Sequence, residues 1–367
     1  FAVCSPSRAG LITGRYQNRF GYTRNILLAP KDSTMGLPLG EQTLPEVLKK
    51  GGYKTKLIGK WHLGAHDLLI PENRGFDEFY GFLIGGHRYF PDDLTLNDLT
   101  EARKQMDGYI TKIYDNGNRI NTSRYLTDEL SINAVKFIED NSNNPFFLYL
   151  SYNAPHTPLQ AKEEDLLRNM HIKGEKRRIY ASMVTSMDDG IGLVLDKLEQ
   201  MNIIDNTIVI FFSDNGGVEW YNHSDNGELR GIKGDFFEGG IRVPFVMQWP
   251  KIIPKGIVYD KPIIALDVFA TSMAVANVEN HTINEIDGVN LIPYIIGENN
   301  NYPHKYLYWQ NRDKEIDVIR DDRYKYLRIK NKEFIFDLSN DISEENNLIN
   351  SSKQIYDNLK FEFKEWE

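Results

Sequence analysis

The chain has 367 residues, of which 41% are hydrophobic and 26% are charged, as is typical of a globular protein with a large domain and room for a smaller one. Its 43 basic and 52 acidic side chains give a net charge of −9, which argues against a dedicated nucleic-acid-binding protein, because such proteins carry a basic surplus. The single cysteine, Cys4, excludes an intrachain disulfide and a thiolate metal cluster.

Helices alternate with apolar strands along the first four fifths of the chain. Apolar periodicity and end signals predict helices over 7–15, 43–51, 124–140 and 176–200. The segments YKTKLIGKWHLG, PFFLYLSYNAPH, NTIVIFFSDNGG and RVPFVMQWP are typical of strands, and the last three are apolar enough to be buried on both faces. This alternation predicts an α/β fold with a mostly parallel central sheet flanked by helices.

The end of the chain has a different pattern. Short strands separated by polar turns are expected in KYLYWQ, IDVIRDDRYKYLRI and KEFIFDL, followed by a helix over roughly 352–366. This pattern predicts a small antiparallel sheet covered by a helix. GENNNYP at 297–303 reads as a linker, so we expect a catalytic domain over 1–297 and a C-terminal subdomain over 298–367.

Polar residues follow three of the predicted strands. Lys60 and His62 end the first, His156 follows the second, and Asp214 with Asn215 ends the third. Ligands of open parallel sheets bind outside the carboxyl ends of the strands, so these side chains are expected to meet at one edge. One histidine at a strand end is more often structural than catalytic, but three such strand ends together favour a site.

Metal and anion ligands can be suggested within this set. Asp214 and Asn215 offer the hard oxygens that Ca²⁺ and Mg²⁺ prefer, although the same residues could simply close an Asx turn. Arg8, Lys60 and Lys233 could hold a tetrahedral anion in a protein of negative charge, although each of these cations could equally be solvated.

The motifs, taken in order, resemble those of the type I sulfatases of the alkaline phosphatase superfamily, similar to bacterial N-acetylgalactosamine-4-sulfatase and arylsulfatase B-like enzymes. They are CSPSR at 4–8 followed by AGLITGRY, GKWHLG at 59–64, APHTP at 154–158, SDNGG at 213–217 and GIKGDFFEGGIRVP at 231–244. The tail DDRYKYL…FDLSNDISEENNL is similar to the C-terminal subdomain of that family. The resemblance therefore covers essentially the whole chain and implies hydrolysis of sulfate esters, with a sulfated carbohydrate as the expected substrate.

The resemblance also implies a modified residue and a metal. In this family the cysteine of the first motif is oxidised to formylglycine by a maturation enzyme, either the formylglycine-generating or the anaerobic type. The aldehyde hydrate has two hydroxyls on one carbon, so that one can attack sulfur and the other can later help to expel sulfate. The implied metal is Ca²⁺, with Mg²⁺ less favoured.

Roles carried over from the family fall on residues already singled out. Formylglycine from Cys4 would be nucleophile and metal ligand, with Arg8 supporting its hydrate. Lys60 and Lys233 would contact the sulfate oxygens. His62 would act as base on the second hydroxyl, His156 would protonate the leaving alcohol, and Asp214 and Asn215 would bind the metal.

The chain differs from the family pattern at its start. Family members carry two adjacent metal-binding aspartates on a strand before the nucleophile, whereas this chain begins with Phe1 close to the first motif. We therefore expect that the natural N-terminus, with this strand and any export signal, lies upstream. The family implies a protein of the periplasm or the exterior, and the richness in Asn, Lys and Ile is typical of a protein from an AT-rich bacterial genome. The chain contains no run of about eighteen apolar residues, so no membrane span is predicted.

Substrate contacts are expected from two polar segments. GGHRYFPDD contributes His87, Arg88 and Tyr89, and HSDNGELRG contributes His223, with Asp225 beside it. Either segment could equally be an ordinary loop. Two other functions are compatible with the sequence: hydrolysis of phosphonate monoesters or phosphodiesters, and an inactive fragment that only binds sulfated glycan. Turnover with added metal would separate an enzyme from a binding protein.

Overall fold

The computed structural model describes residues 1–278 and 284–367. Its helices are α1 (Cys4–Thr13), α2 (Leu44–Lys50), α3 (Leu126–Asn141), α4 (Glu163–Arg168), α5 (Glu175–Gln200), α6 (Glu219–Asn222), α7 (Glu238–Ile241), α8 (Asp267–Val275), α9 (Ile292–Ile295) and α10 (Lys353–Trp366). Its strands are β1 (Lys54–Lys60), β2 (Glu78–Phe82), β3 (Ile113–Asp115), β4 (Asn118–Ile120), β5 (Phe146–Ser151), β6 (Val209–Phe212), β7 (Phe245–Gln248), β8 (Leu307–Asn311), β9 (Ile316–Arg320), β10 (Tyr324–Ile329) and β11 (Lys332–Asp337).

Helix ends follow local sequence signals. Thr43 and Glu46 form a capping box at the start of α2, where each side chain bonds the other residue's backbone. Helix α1 ends at Gly14, whose φ of 68° lets its N–H reach the Gly10 carbonyl at 2.8 Å. All ten residues of α1 are buried, so the helix runs through the core rather than along the surface.

The central sheet has the order β4-β3-β2-β1-β5. Strand β1 lies parallel to β2 and β5, whereas β3 and β4 form an antiparallel extension. This arrangement confirms the α/β class and makes the sheet a mixed one. Parallel β1 and β5 end side by side, which brings the segments after Lys60 and Ser151 to one edge.

The strand that precedes Asp214 is placed differently from our expectation. Strand β6 pairs antiparallel with β7, and within the described residues this pair forms a sheet of its own. A cavity of about 1450 Å³ lies between β5 and β6 and is lined by both strands and by the segments that follow them, including His156 and Asp214. Residues 146–150 and 209–212 are therefore only partly buried or exposed, although their apolar sequence predicts burial on both faces.

The C-terminal sheet is antiparallel, with the order β11-β10-β9-β8. Helix α10 covers one face through Leu359 and Phe363, as the sequence predicts. The opposite face packs on Ala2 and Phe236, so this sheet shares a hydrophobic core with the first part of the chain. The division into 1–297 and 298–367 stays a prediction.

Candidate active site

Cys4 lies at the first position of α1. Its side chain is 2% exposed, and the ammonium group of Lys233 donates to its sulfur at 3.0 Å. The first turn of α1 carries no acidic residue, so the positive end of the helix dipole is not neutralised locally. A group attached at Cys4 therefore lies in a buried, positively polarised position suited to developing negative charge.

Arg8 connects the strands that border the site. Its guanidinium donates to the Lys60 carbonyl at 2.9 Å and to the Ser151 hydroxyl at 2.6 Å. The same group contacts Asp214 Oδ2 through Nε and Nη2, each at 3.1 Å. Arg8 therefore fixes the ends of β1 and β5 against the turn that follows β6.

Asp214 is the anion among three cations. Burial alone would raise the pKa of its carboxyl, but Arg8, Lys60 and Lys233 outweigh burial and hold that pKa well below its usual range. The Lys60 ammonium is 3.9 Å from Asp214 Oδ2, and burial lowers the pKa of Lys60. Burial would also lower the pKa of Lys233, but Cys4 and Asp214 raise it above its ordinary value. The described cluster thus carries more positive than negative charge.

His62 is held in a strained position at this edge. Its backbone has a φ of 59°, in the left-handed region that few non-glycine residues adopt. A Cβ at Gly85 would lie 2.9 Å from the His62 ring, so glycine is needed there for the close approach. Burial first, and then the charges of Lys60 and Arg8, lower the pKa of His62 well below its ordinary value. The ring is therefore neutral and able to accept a proton, and its buried Nδ1 has no hydrogen-bond partner.

His156 has one nitrogen engaged. Its Nδ1 lies 2.7 Å from the Thr157 carbonyl, so in the neutral ring Nδ1 donates and Nε2 is the acceptor. The Tyr89 hydroxyl donates to the His156 carbonyl at 2.8 Å and fixes the backbone. Burial, followed by the charges of Lys60 and Lys233, lowers the pKa of His156 to about 3.

Most of the site residues expected from the sequence converge on one place. The same cavity is lined by six of them: Arg8, Lys60, His156, Asp214, Asn215 and Lys233. Cys4 joins them through Lys233, and His62 through its electrostatic interactions with the cations. Sequence reasoning missed Tyr149 and Ser151, which both accept from Arg8. Ser151 could have been found, because it is the last residue of its strand just as Lys60 is.

The residues expected to contact substrate are placed less favourably. His87 is 0% exposed, and its two ring nitrogens lie 2.9 and 2.8 Å from the Arg88 and Thr111 carbonyls. Tyr89 is also buried, and its hydroxyl bonds the backbone carbonyl of His156. This corrects our expectation for His87 and Tyr89: both rings hold loops in place instead of facing a ligand. Arg88 and His223 are partly exposed.

The fit of a metal ion can be tested on the oxygens present. Asn215 Oδ1 is buried without a hydrogen-bond partner, as expected of an oxygen that a cation would engage. Asp214 adds a carboxylate next to it. Among the described residues, however, no group of three or more His, Cys, Asp or Glu side chains is arranged to hold a metal. Asp214 and Asn215 thus fit one side of a hard cation, short of the six to eight oxygens that Ca²⁺ takes.

Comparison with known families shows which protein family the chain belongs to. Residues 2–278 match the family described as Sulfatase. The chain belongs to the sulfatase family. This confirms the resemblance to enzymes of the alkaline phosphatase superfamily, and residues 233–366 also match the family described as N-sulphoglucosamine sulphohydrolase, C-terminal. Sulfatases generally depend on formylglycine and a metal ion.

Individual sulfatases are similar along most of the chain. An uncharacterized sulfatase, YdeN of Escherichia coli K12, is 31% identical over 90% of this chain and 60% of its own length. Human N-acetylgalactosamine-6-sulfatase is 34% identical over 80% of this chain and 57% of its own length. The chain therefore spans about 60% of the length of these curated relatives.

A solved structure is also closely similar. Ps i-CgsB, crystallised in complex with k-i-k-neocarrahexaose, superposes with a TM-score of 0.91 and 37% identity, covering 100% of this chain and 82% of that one.

No helix among the described residues has the length and apolar character needed to cross a membrane.

Proposed function

We propose that this sulfatase-family chain hydrolyses sulfate esters of a carbohydrate through a formylglycine formed at Cys4. The observation that carries the proposal is the convergence of Cys4, Lys233, Arg8 and Lys60 around Asp214 beside one cavity. Three cations and one carboxylate, at a buried helix N-terminus, provide a place for a sulfate group.

The cations bind and orient the sulfate. Lys233 and Lys60 contact its oxygens and offset the charge that builds up as the ester bond breaks. Arg8 is held by four oxygen acceptors and therefore keeps the ends of β1 and β5 aligned with Cys4. When formed, hydrated formylglycine supplies a hydroxyl nucleophile and a second hydroxyl that lets sulfate depart.

The two histidines move protons. His62 is neutral and accepts the proton of the second hydroxyl. His156 donates to the leaving alcohol, and this role requires a protonated ring although its pKa is about 3. Lys60 and Lys233 contribute to that low pKa, and a bound sulfate neutralises them. Substrate binding therefore raises the pKa of His156 and favours the protonated ring, although burial, the largest cause of the low pKa, remains.

Asp214 and Asn215 are proposed as ligands of a Ca²⁺ ion, which would add positive charge beside the sulfate. Calorimetric titration of Ca²⁺ tests this proposal without any turnover. Asn215→Leu should weaken binding at least tenfold, because the side-chain oxygen is lost while the volume is kept. Asn358→Leu on the surface of α10 is the matched control and should bind Ca²⁺ as the wild type does. Equal affinity of wild type and Asn215→Leu would remove Asn215 from the metal site.

The substrate class rests on the relatives. One solved sulfatase is bound to k-i-k-neocarrahexaose, and a human relative is named for a sulfated amino sugar. We infer that this chain acts on a sulfated oligosaccharide in the periplasm or outside the cell, after a maturation enzyme has oxidised Cys4. Arg88 and His223 remain proposed substrate contacts.

The decisive experiment combines mass and activity. The protein is produced with and without a formylglycine-generating enzyme, and the peptide that contains Cys4 is weighed. Only the aldehyde form should hydrolyse para-nitrophenyl sulfate, and Cys4→Ala should be inactive. Aldehyde without sulfatase activity but with phosphodiesterase activity would replace the proposal by phosphoester hydrolysis. Aldehyde without either activity would leave only glycan binding.

A further inference from the structure

Two adjacent aromatic side chains are exposed next to the cavity, and one of them, Tyr221, lines it. Trp220 is 74% exposed and Tyr221 is 53% exposed, both on the short helix α6. Their ring centroids are 5.5 Å apart, with an interplanar angle of 54°. Of the five tryptophans, all within the described residues, only Trp220 is exposed. Contiguous exposed aromatic surface is unfavourable in water and marks a place where a ligand packs.

Helix α6 is fixed to the catalytic residues. The Asn226 side chain accepts from the Gly217 N–H at 3.0 Å and donates to the Gly217 and Gly231 carbonyls at 3.3 and 3.1 Å. The backbone N–H of Lys233 donates to the Gly217 carbonyl at 3.0 Å. The segment that carries the aromatic pair is thus joined to the turn after Asp214 and to the loop that carries Lys233.

A second apolar wall contributes to the same cavity. Met106 is exposed and Tyr109 partly exposed, both on the 3-10 segment Gln105–Ile110. Tyr109, Met106 and Tyr221 line the cavity together with His156 and Lys233. Polar groups of Asn222, Ser224, Asp225 and Asn226 line it beside α6. Aromatic faces next to hydrogen-bonding groups match a sugar, whose ring has apolar C–H faces and a polar hydroxyl edge.

We propose that Trp220 and Tyr221 form a stacking platform for the pyranose ring next to the one that carries the reacting sulfate. This inference rests on the proposed function and extends it, because it makes an oligosaccharide, not a sulfated monosaccharide, the preferred ligand. The occupant is a sugar and not an apolar protein segment, since Tyr221 lines the same cavity as the cations Lys60 and Lys233 and the amides of Asn222 and Asn226.

Calorimetry with the Cys4 form of the chain tests the platform without turnover. The probes are k-i-k-neocarrahexaose and N-acetylgalactosamine 6-sulfate, and the variants are Trp220→Ala, Trp220→Phe and Phe361→Ala. Trp220→Ala should raise the Kd of the hexasaccharide about tenfold, and at least fivefold more than that of the monosaccharide. Trp220→Phe should recover most of the loss. Phe361 is an exposed aromatic residue of α10, so Phe361→Ala should bind as the wild type does.

The outcomes separate this inference from the proposed function. Equal losses for the two probes, no loss for Trp220→Ala, or no binding of the hexasaccharide by the wild type would each overturn the platform. The matured enzyme is assayed in parallel with para-nitrophenyl sulfate. Absence of that turnover alongside selective loss of hexasaccharide binding would refute sulfate-ester hydrolysis and leave the platform in place.

Discussion

Lys325 on β10 should be a major determinant of stability. Its side chain is 0% exposed, and Nζ lies 3.0 Å from Glu238 Oε1 and 2.8 Å from Glu344 Oε1. Arg320 contacts the other oxygen of Glu238 at 3.0 Å, whereas Glu344 has Lys325 as its ion-pair partner. Replacement by Met keeps the volume of the side chain, so the change removes the charge without opening a large cavity.

The magnitude follows from what the variant leaves behind. Removing one partner of a buried ion pair leaves the other charge uncompensated. We therefore expect Lys325→Met to lower the free energy of unfolding by about 3–5 kcal/mol. Burial already raises the pKa of Glu344, and Lys325 partly offsets that effect. Without Lys325 this pKa rises further. When a carboxyl has a higher pKa in the folded than in the unfolded state, the folded protein becomes less stable as the pH rises. The loss in free energy of unfolding caused by Lys325→Met should therefore be larger at pH 8 than at pH 5.

Urea unfolding of wild type and variants at pH 5 and pH 8 measures this effect. Lys325→Met with Glu344→Gln should recover more than half of the loss, because the buried charge is then gone. The exposed pair Lys136 and Asp140 supplies the control, and Lys136→Met should unfold as the wild type does. A loss of less than about 1 kcal/mol for Lys325→Met, or the same loss at both pH values, would refute the reasoning.

Three further predictions concern histidines. His156→Ala should slow hydrolysis of a sugar sulfate much more than that of an aryl sulfate, because only a basic leaving group needs an acid, and equal losses would contradict that role. Binding of sulfate should be accompanied by proton uptake at about pH 4, since the anion offsets the charges of Lys60 and Lys233, which together with burial hold the pKa of His156 at about 3. Calorimetry in buffers of different ionisation enthalpy measures the uptake, and buffer-independent heats would exclude it. Burial lowers the pKa of His87 to about 4 in the folded protein. Below about pH 6.5 the histidine therefore binds a proton in the unfolded chain but not in the folded one, and this difference should lower the free energy of unfolding by about 2 kcal/mol between pH 8 and pH 5. The pH dependence of urea unfolding should be smaller in His87→Gln, and an unchanged dependence would count against this assignment.

Features set by neighbouring residues were predictable from the sequence. The helix expected over 176–200 is found at Glu175–Gln200, and the one over 43–51 at Leu44–Lys50. The apolar spacing, caps and closing residues of these helices act within one or two turns, so neighbouring residues in the sequence are enough to predict where each helix begins and ends. The polar residues that end β1 and follow β5 were likewise predicted as site residues, because their side-chain chemistry and their position at strand ends are visible in the sequence.

Only the tertiary structure decided which of these groups meet. Arg8 and Asp214 are 206 positions apart in the chain, and Lys233 and Cys4 are 229 apart. The sequence also did not show that β6 pairs with β7, that His87 is enclosed, or that Lys325 holds two buried carboxylates. Such contacts depend on how loops bring distant segments together, and any one residue type is compatible with many partners. The sequence by itself therefore determined the local elements and the kinds of chemistry available, whereas long-range packing fixed the charges, exposures and proton affinities of the site.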